Sequence, residues 1–354
     1  MKEQQSRAPV VRGIRANRGP RFRVMAAALL CLGSSNLVVR PSCVRAQNDT
    51  PPSIGPSSVE QVEFGMVLQA EGGSFKNVFG TVTVPADWPG QQRVRAVKED
   101  LPPGAAVSYR MIDDVGRQMT VKIPSLPAGR EVRAVVTFEV QRLPPVASKQ
   151  AGPFKAAERA AMGRKVAMHL QPSPKIESDD SRVRQAAQQA AGRSDNAWDK
   201  VQAIHQWVHK NIQFAGGLEN VQTCMQTLEL HRGVCAEMNS LAVAMLRASG
   251  FPARLVRVPG HCYYEVFLLD DEGQAHWLAG DASRDAAIAA DGVLPGLILQ
   301  KGDNVNIVDP ATKRRSKGRF LTETVLGVPQ NKAARLRFQP VTPAVPSTAK
   351  REDR

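Results

Sequence analysis

The chain has 354 residues, long enough for two domains with cores of their own. It carries 47 Lys and Arg against 33 Asp and Glu, and the excess sits at the ends: residues 1–46 and 313–354 each carry +8, while 47–312 carry −2. That distribution excludes a nucleic-acid-binding domain with a basic face, and 5 Cys in so long a chain exclude a disulfide scaffold.

Residues 1–46 read as a targeting segment. Arg12, Arg15, Arg18, Arg21 and Arg23 form a basic region, followed by an apolar run at 24–39 broken by Gly33, Ser34, Ser35 and Asn36. Val44-Arg45-Ala46 offers a small-x-small cleavage pattern, with Gln47 as the new N-terminus. The run is short and interrupted for a membrane-spanning helix, so the expectation is an exported chain, periplasmic or secreted; the alternative is an uncleaved anchor. After cleavage Cys224, Cys235 and Cys262 remain, and an odd number leaves at least one free thiol.

Residues 47–58 are a Pro- and Ser-rich linker. From 59 to 142 short β-type runs alternate with turn residues such as Gly72-Gly73, Pro102-Pro103-Gly104 and Pro127-Ala128-Gly129. This spacing predicts an all-β, immunoglobulin-like sandwich. It holds no cluster of His, Cys or paired acids, so a structural or substrate-orienting role is expected. Residues 143–180 form a second linker with a short helix around 154–168.

Helices then dominate. Residues 180–191 are Ala-rich, and Asp195 caps a helix over 198–212 whose apolar face is Val201, Ile204, Val208 and Ile212. His205 and His209 are four apart on it, but no Glu stands beside His205 and no third ligand is apparent, so no metal is expected. No phosphate loop or dinucleotide motif occurs either, so no cofactor is implied.

A short helix over 222–230 leads into HRGVCAEMNSLAVAMLRASGFPARLV, residues 231–256. Gly233 gives a tight turn, Cys235 opens a helix that is apolar on most sides, Gly250 suits the left-handed position after its end, and Pro252 stops it. A thiol at the first turn of a buried helix has its thiolate stabilised by the dipole. Taken alone, such a cysteine is more often a small packing residue. The following chain changes the balance. His261 opens the run HCYYEVFLL, and Asp281 lies in HWLAGDASRD, with 270–273 as the hairpin turn between them. Two neighbouring strands beside a helix start can bring nucleophile, base and orienter into hydrogen-bond reach. Asp285 is the alternative orienter, but it would need a turn to point back. Gln222 and Gln226 are both candidates to donate to an oxyanion beside the Cys235 N–H.

The three segments in this order resemble the transglutaminase-like superfamily. The likeness continues upstream through DNAWDKVQAIHQWVHKNIQF and covers about 181–330. It implies an α+β fold: a papain-like core in which the Cys helix packs on an antiparallel sheet, here preceded by the sandwich. It also implies a Cys–His–Asp triad acting on protein or peptide amides through a thioester, released to water or to an amine. The rival reading is a non-catalytic binding or scaffold protein on the same fold. One departure stands out: His261-Cys262-Tyr263 occupies the place where many members have His-Ala-Trp. Strand alternation then predicts that His261 and Tyr263 share a face, with Tyr263 walling the site and Cys262 packed behind.

Beyond Asp281, a strand at 294–299 and a turn at 301–306 are expected to close the domain. The basic run Lys313, Arg314, Arg315, Lys317 and Arg319 reads as a solvated loop, or as a contact for an anionic envelope polymer or membrane surface. Residues 331–354, rich in Pro, Ala and Lys, read as a disordered basic tail.

Overall fold

The computed structural model describes residues 57–143, 154–215, 221–285, 288, 296–309 and 311–343. All of these belong to the second of the chain's two units, Cys43–Arg354. The expected targeting segment, the linker at 47–56, residues 144–153 and the end of the tail at 344–354 lie outside the described residues. Among those described, no helix is long and apolar enough to cross a membrane.

Six strands come first: β1 (Ser58–Glu71), β2 (Phe75–Val84), β3 (Gln92–Asp100), β4 (Ala106–Ile112), β5 (Gly116–Leu126) and β6 (Glu131–Arg142). A one-turn α1 (Arg164–Ala167), α2 (Ser181–Ala191) and α3 (Ala197–Asn211) follow. Next are β7 (Gln213–Phe214), α4 (Cys224–Leu230), β8 (Arg232–Gly233) and α5 (Cys235–Ala248). The chain then runs through β9 (Ala253–Val258), β10 (His261–Leu269), β11 (Ala275–Gly280), β12 (Gln300–Lys301), β13 (Val305–Val308), β14 (Arg315–Gly318), β15 (Thr324–Pro329) and β16 (Arg335–Val341). The single helix expected around 154–168 is instead two 3₁₀ turns flanking α1. The cap of α3 is Asn196 rather than Asp195: its Oδ1 accepts from Trp198 N at 2.8 Å.

The strands of the first half face each other in two layers. One sheet has the order β16-β1-β6-β3, the other β11-β10-β9-β12-β5-β2-β15, with β4 also on β5. Period-two patterning builds the shared core. Phe64, Met66 and Leu68 of β1, Val136 and Phe138 of β6, and Met119, Val121 and Ile123 of β5 point inward and are buried.

Two expectations are corrected here. The sandwich is not a self-contained immunoglobulin-like domain ahead of the catalytic one, because β15 pairs with β2, β16 pairs with β1, and the second sheet runs on without a break into β9, β10 and β11. The seam is β12, where Gln300 pairs with Gly116 on one side and Arg257 on the other. Gly116 permits this approach: a Cβ there would lie 2.8 Å from Leu321 Cδ1 and 3.2 Å from Leu299 O. Buried Gln92 ties the same region, its Nε2 donating to Ala86 O and Ile298 O while its Oε1 accepts from Ile298 N. Secondly, the basic tail is not wholly irregular. In RLRFQPV the apolar Leu336 and Phe338 pack on the core, while Arg337 turns outward to Glu71 at 2.8 Å. Alternation survives in a segment whose overall composition reads as disorder.

On one face of β9–β11 lies a helical layer centred on α5. Met238, Leu241 and Met245 pack with Leu255, Tyr264, Val266 and Leu268, and with Val201, Ile204 and Val208 of α3. On the other face Val256, Val258, Tyr263, Ala279 and Ile298 form a smaller core with Trp88. Buried ions pin the layers. Arg247 holds Asp303 at 2.8 Å with both side chains 1% exposed, and Glu265 on β10 accepts from Arg254 at 2.7 Å and Lys301 at 2.6 Å. Removing one partner of such a pair costs about 3–5 kcal/mol.

Candidate active site

The nucleophile candidate is placed by two short elements. β8 pairs in parallel with β7, and Gly233 then passes so close to the helix that a Cβ would lie 2.7 Å from Glu237 Cβ. Cys235 follows as the first residue of α5, whose cap residue Val234 supplies no side-chain acceptor to the helix start. His261 opens β10 after a two-residue turn in which Gly260 has φ 68, with Val258 paired to His261. β11 is in register with β10 up to Tyr264 opposite Gly280, so the chain beyond Gly280 runs alongside His261. Gly280 lets it do so: a Cβ there would be 2.5 Å from the Tyr264 ring.

Cys235, His261 and Asp281 are thereby brought together. His261 Nε2–H donates to Asp281 Oδ2 at 2.7 Å; the carboxylate can only accept, so the tautomer is set. That leaves Nδ1 of the ring for Cys235, with which the His261 side chain interacts. Asp281 is 1% exposed and Cys235 is half-buried. Asp285 lies elsewhere, exposed and 3.9 Å from His209 Nε2.

The electrostatics follow from these contacts. A hydrogen bond from the Cys262 thiol and the contact with His261, opposed by burial, bring the Cys235 thiol down to about 4. Burial works against a charged His261, but the hydrogen bond and charge of Asp281 and the contact with Cys235 outweigh it, pushing it up to about 9. Burial also opposes charge on Asp281; hydrogen bonds from His261, Ser283 and Asn239 hold its carboxyl down at about 2. The pair is therefore thiolate and imidazolium across neutral pH, and its titration belongs to both groups together.

The other two thiols differ. Cys224 also begins a helix, α4, yet it is 1% exposed in the main core and burial pushes its pKa up. Cys262 is 3% exposed, and its hydrogen bond to Cys235 together with burial pushes its own pKa far up. This corrects the expected placement of Cys262 and Tyr263. Strand alternation holds from Cys262 onward, but α5 packs on the face that carries Cys262, Tyr264 and Val266. Cys262 therefore meets the nucleophile. Tyr263 is buried in the small core behind the sheet, 1% exposed, and does not wall a cleft.

The glutamine candidates also separate. Gln226 is exposed and spent in a capping box with Thr223: its Oε1 accepts from Thr223 N, and Thr223 Oγ1 accepts from Gln226 N. Gln222 is buried, its Oε1 accepting from Thr227 Oγ1 at 3.4 Å; the Thr227 methyl in turn lies near Gly233, two residues before Cys235.

Three contributors were not foreseen. Asn239, fully buried, sends Nδ2–H to Cys235 O and Cys262 O at 3.0 Å and to Asp281 Oδ1 at 2.9 Å, while its Oδ1 accepts from Ala282 N at 2.9 Å. Its signal was there to read: a lone amide one helical turn after Cys235 in an apolar helix. Ser283 donates Oγ–H to Asp281 Oδ1 at 2.6 Å, the local pattern of a hydroxyl two residues past an Asp. Arg319, read as part of a solvated basic run, is buried against Glu237 at 3.3 Å and Ser240 Oγ at 2.8 Å on the first turns of α5. Residues 313–317 of that run are exposed, partly in the β13–β14 hairpin. His205 and His209 brace the back of the site. His205 Nδ1 shares a hydrogen bond with Tyr264 Oη at 2.8 Å, and His209 Nδ1 donates to Ala282 O at 3.2 Å. Among the described residues no group of three or more His, Cys, Asp or Glu could hold a metal ion.

Known proteins are similar to parts of this chain. An uncharacterized protein of Haemophilus influenzae is 25% identical over 130 residues, which is 35% of this chain and 35% of that one, so the chain spans about a third of the length of this relative. The crystal structure of a candidate cysteine protease from Cytophaga hutchinsonii is 17% identical, with TM-score 0.50, 80% of this chain and 100% of that chain covered; that likeness is one of fold. The periplasmic domain of TgpA from Pseudomonas aeruginosa is 14% identical at TM-score 0.31, over 63% of this chain and 90% of that one. The family model for the transglutaminase-like superfamily matches residues 184–282, the span that carries Cys235, Asn239, His261 and Asp281, and this part of the chain is a transglutaminase-like domain.

Proposed function

We propose that the chain is an exported cysteine acyl-transfer enzyme acting on protein or peptide amides. The observation that carries the reading is the single line of contacts from a half-buried Cys235 through His261 to a buried Asp281. Cys235 attacks the amide carbonyl as a thiolate. The oxyanion forms beside the Cys235 N–H at the start of α5, with the Gln222 amide as second donor. His261, charged in the resting pair, gives its proton to the leaving amine; Asp281 holds the ring and steadies its charge. The thioester then passes to water, which His261 activates as base, or to a primary amine.

Export rests on the basic, apolar and small-residue pattern of 1–46. The exposed Arg314, Arg315 and Lys317 remain a candidate contact for an anionic envelope polymer, without Arg319, which is occupied inside. A binding protein on the same fold has no need of a thiolate, which separates the rival reading by experiment. A thiol probe followed by intact mass compares wild type with Cys235→Ala, and a peptide library with an added fluorescent amine reports hydrolysis against amine incorporation. Labelling lost in Cys235→Ala, with turnover lost alongside it, is expected. Equal labelling of both proteins, or wild-type turnover by the alanine variant, refutes the enzyme reading.

A further inference from the structure

The thiol beside the nucleophile favours its thiolate but takes no covalent part in acyl transfer. Cys262 is 3% exposed, and its thiol interacts with that of Cys235. The backbone holds the two residues together by a separate device: one nitrogen, Asn239 Nδ2, lies 3.0 Å from Cys235 O and 3.0 Å from Cys262 O. Cys235 is on the first turn of α5 and Cys262 is the second residue of β10. The contact is thus between two packed elements, not between loops. Both thiols are free in this structure.

Building on the reading of Cys235 as a reactive thiolate, we propose that Cys262 is a resolving thiol: a hydroperoxide oxidises Cys235, and Cys262 then closes a disulfide with it, so that the site is silenced reversibly. The oxidant needs to reach only Cys235, which is half-buried. The thiolate gives an electron pair to one peroxide oxygen. The O–O bond breaks, hydroxide departs and takes up a proton as water, and Cys235 becomes a sulfenic acid. The Cys262 sulfur then attacks the Cys235 sulfur from inside the protein. An S–S bond forms, the S–O bond breaks, and the Cys262 proton leaves with the hydroxide as a second water. Two thiols and one hydrogen peroxide thus give one disulfide and two waters; the sulfurs lose two electrons and the peroxide gains them. A thiolate without a resolving partner goes on instead to sulfinic and sulfonic acids, which ordinary reductants do not reverse. An alanine at this position, as in many relatives of the His-Ala-Trp type, has no sulfur to offer. Cys224 is the internal control, since it lies in the main core on α4 and is not among the groups that touch Cys235.

The test titrates the full chain with hydrogen peroxide, quenches with iodoacetamide, and reads intact mass and non-reducing peptide maps. Wild type is expected to lose two hydrogens, to take no label at Cys235, to yield a cross-linked peptide joining Cys235 and Cys262, and to recover its label after a phosphine reductant. Cys262→Ala and Cys262→Ser are expected to gain two or three oxygens at Cys235 and to stay unlabelled after the same reductant. The wild-type arm decides the matter even where neither variant folds. Wild type that gains oxygens without the cross-link, or a cross-link to Cys224, overturns the proposal. Failure of the underlying reading looks different: unoxidised wild type would then show no preferential labelling at Cys235.

Discussion

Asn239 is the residue on which the spacing of the site turns, and replacing it with Asp or with Leu separates its two roles. Its amide donates toward Asp281 Oδ1 at 2.9 Å, and its oxygen accepts from Ala282 N at 2.9 Å. Asn239→Asp keeps the acceptor and turns the donor into a second carboxylate oxygen facing Asp281. At that separation two charges repel by about 6 kcal/mol at an effective dielectric constant of about 20. That is enough to keep one proton on the new pair up to about pH 8, against about 4 for a free Asp. The sign of the linkage is then fixed. Above about pH 4 the unfolded variant releases its proton while the folded one retains it, so stability falls with rising pH by about 1.4 kcal/mol per pH unit. The fall ends near pH 8, after a loss of about 6 kcal/mol, comparable with the whole stability of a small protein. Asn239→Leu removes both roles and leaves the Ala282 N–H and the Cys262 carbonyl short of a partner. Its cost is about 3 kcal/mol and does not depend on pH in this window. Urea unfolding at pH 5 and pH 8 reads both, and iodoacetamide labelling of Cys235 at pH 5 shows whether the protonated Asp variant still assembles the site. An Asp variant whose urea midpoint parallels wild type from pH 5 to pH 8 would refute the placement of Asn239 against Asp281.

Alkylation of Cys235 should rise through an acid limb near pH 4 and be at plateau by neutral pH, and His261→Ala should move that limb upward, read by stopped-time labelling and mass. His261, whose folded pKa of about 9 exceeds its unfolded value of about 6.5, should stabilise the fold fully below about pH 6.5 and lose that contribution as pH rises through about 9, a slope that Asp281→Asn should flatten in thermal melts. Arg319→Met strands Glu237 in the interior and should cost about 3–5 kcal/mol by urea unfolding; a double change with Glu237→Gln should recover part of it. Gln92→Ala deletes three buried hydrogen bonds, two of them to Ile298 across the seam, and should destabilise the whole chain by about 2–4 kcal/mol in one transition; two separate transitions would mean that the halves fold independently.

The parts of the site that were legible in the sequence are those marked by punctuation. Gly233 before Cys235, Gly250 after α5, Pro259-Gly260 before His261 and the 270–273 turn each bound an element, and Cys235 and His261 follow two of those bounds, while Asp281 comes directly after β11. The register of β10 was half legible. Alternation correctly separated Cys262 from Tyr263, but which face meets α5 is a tertiary fact. His261 misleads as a guide because it stands at the first position of the strand, outside the β10–β11 pairing. The seam was illegible for a different reason: β12 has two residues, too few for any period, and its partners Gly116 and Arg257 are remote in sequence. Gln92, Lys301 and Asp303 carry no signal either, since buried polar residues are identified only by the partners that the fold brings to them.

That limit bears on where the enzyme-like unit begins and ends. The family match stops at 282 and contains every residue that touches the proposed chemistry. The groups that hold those residues in place lie beyond it. Asp303 clamps Arg247 near the end of α5 and accepts from Leu255 N on β9. Lys301 closes on Glu265, the residue of β10 that lies between Tyr264 and Val266 of the α5 layer. Arg319 returns from the last part of the chain to neutralise Glu237, whose negative charge in the first turn suits the helix dipole but would stand near a thiolate. Each of these is an ion desolvated by the very layers it joins, so none keeps its partner in a chain cut at 282. A chain cut at 282 is therefore expected to lose supports of α5, β9 and β10, and the strands of the first half, reaching β9 through β12, are part of the support for His261.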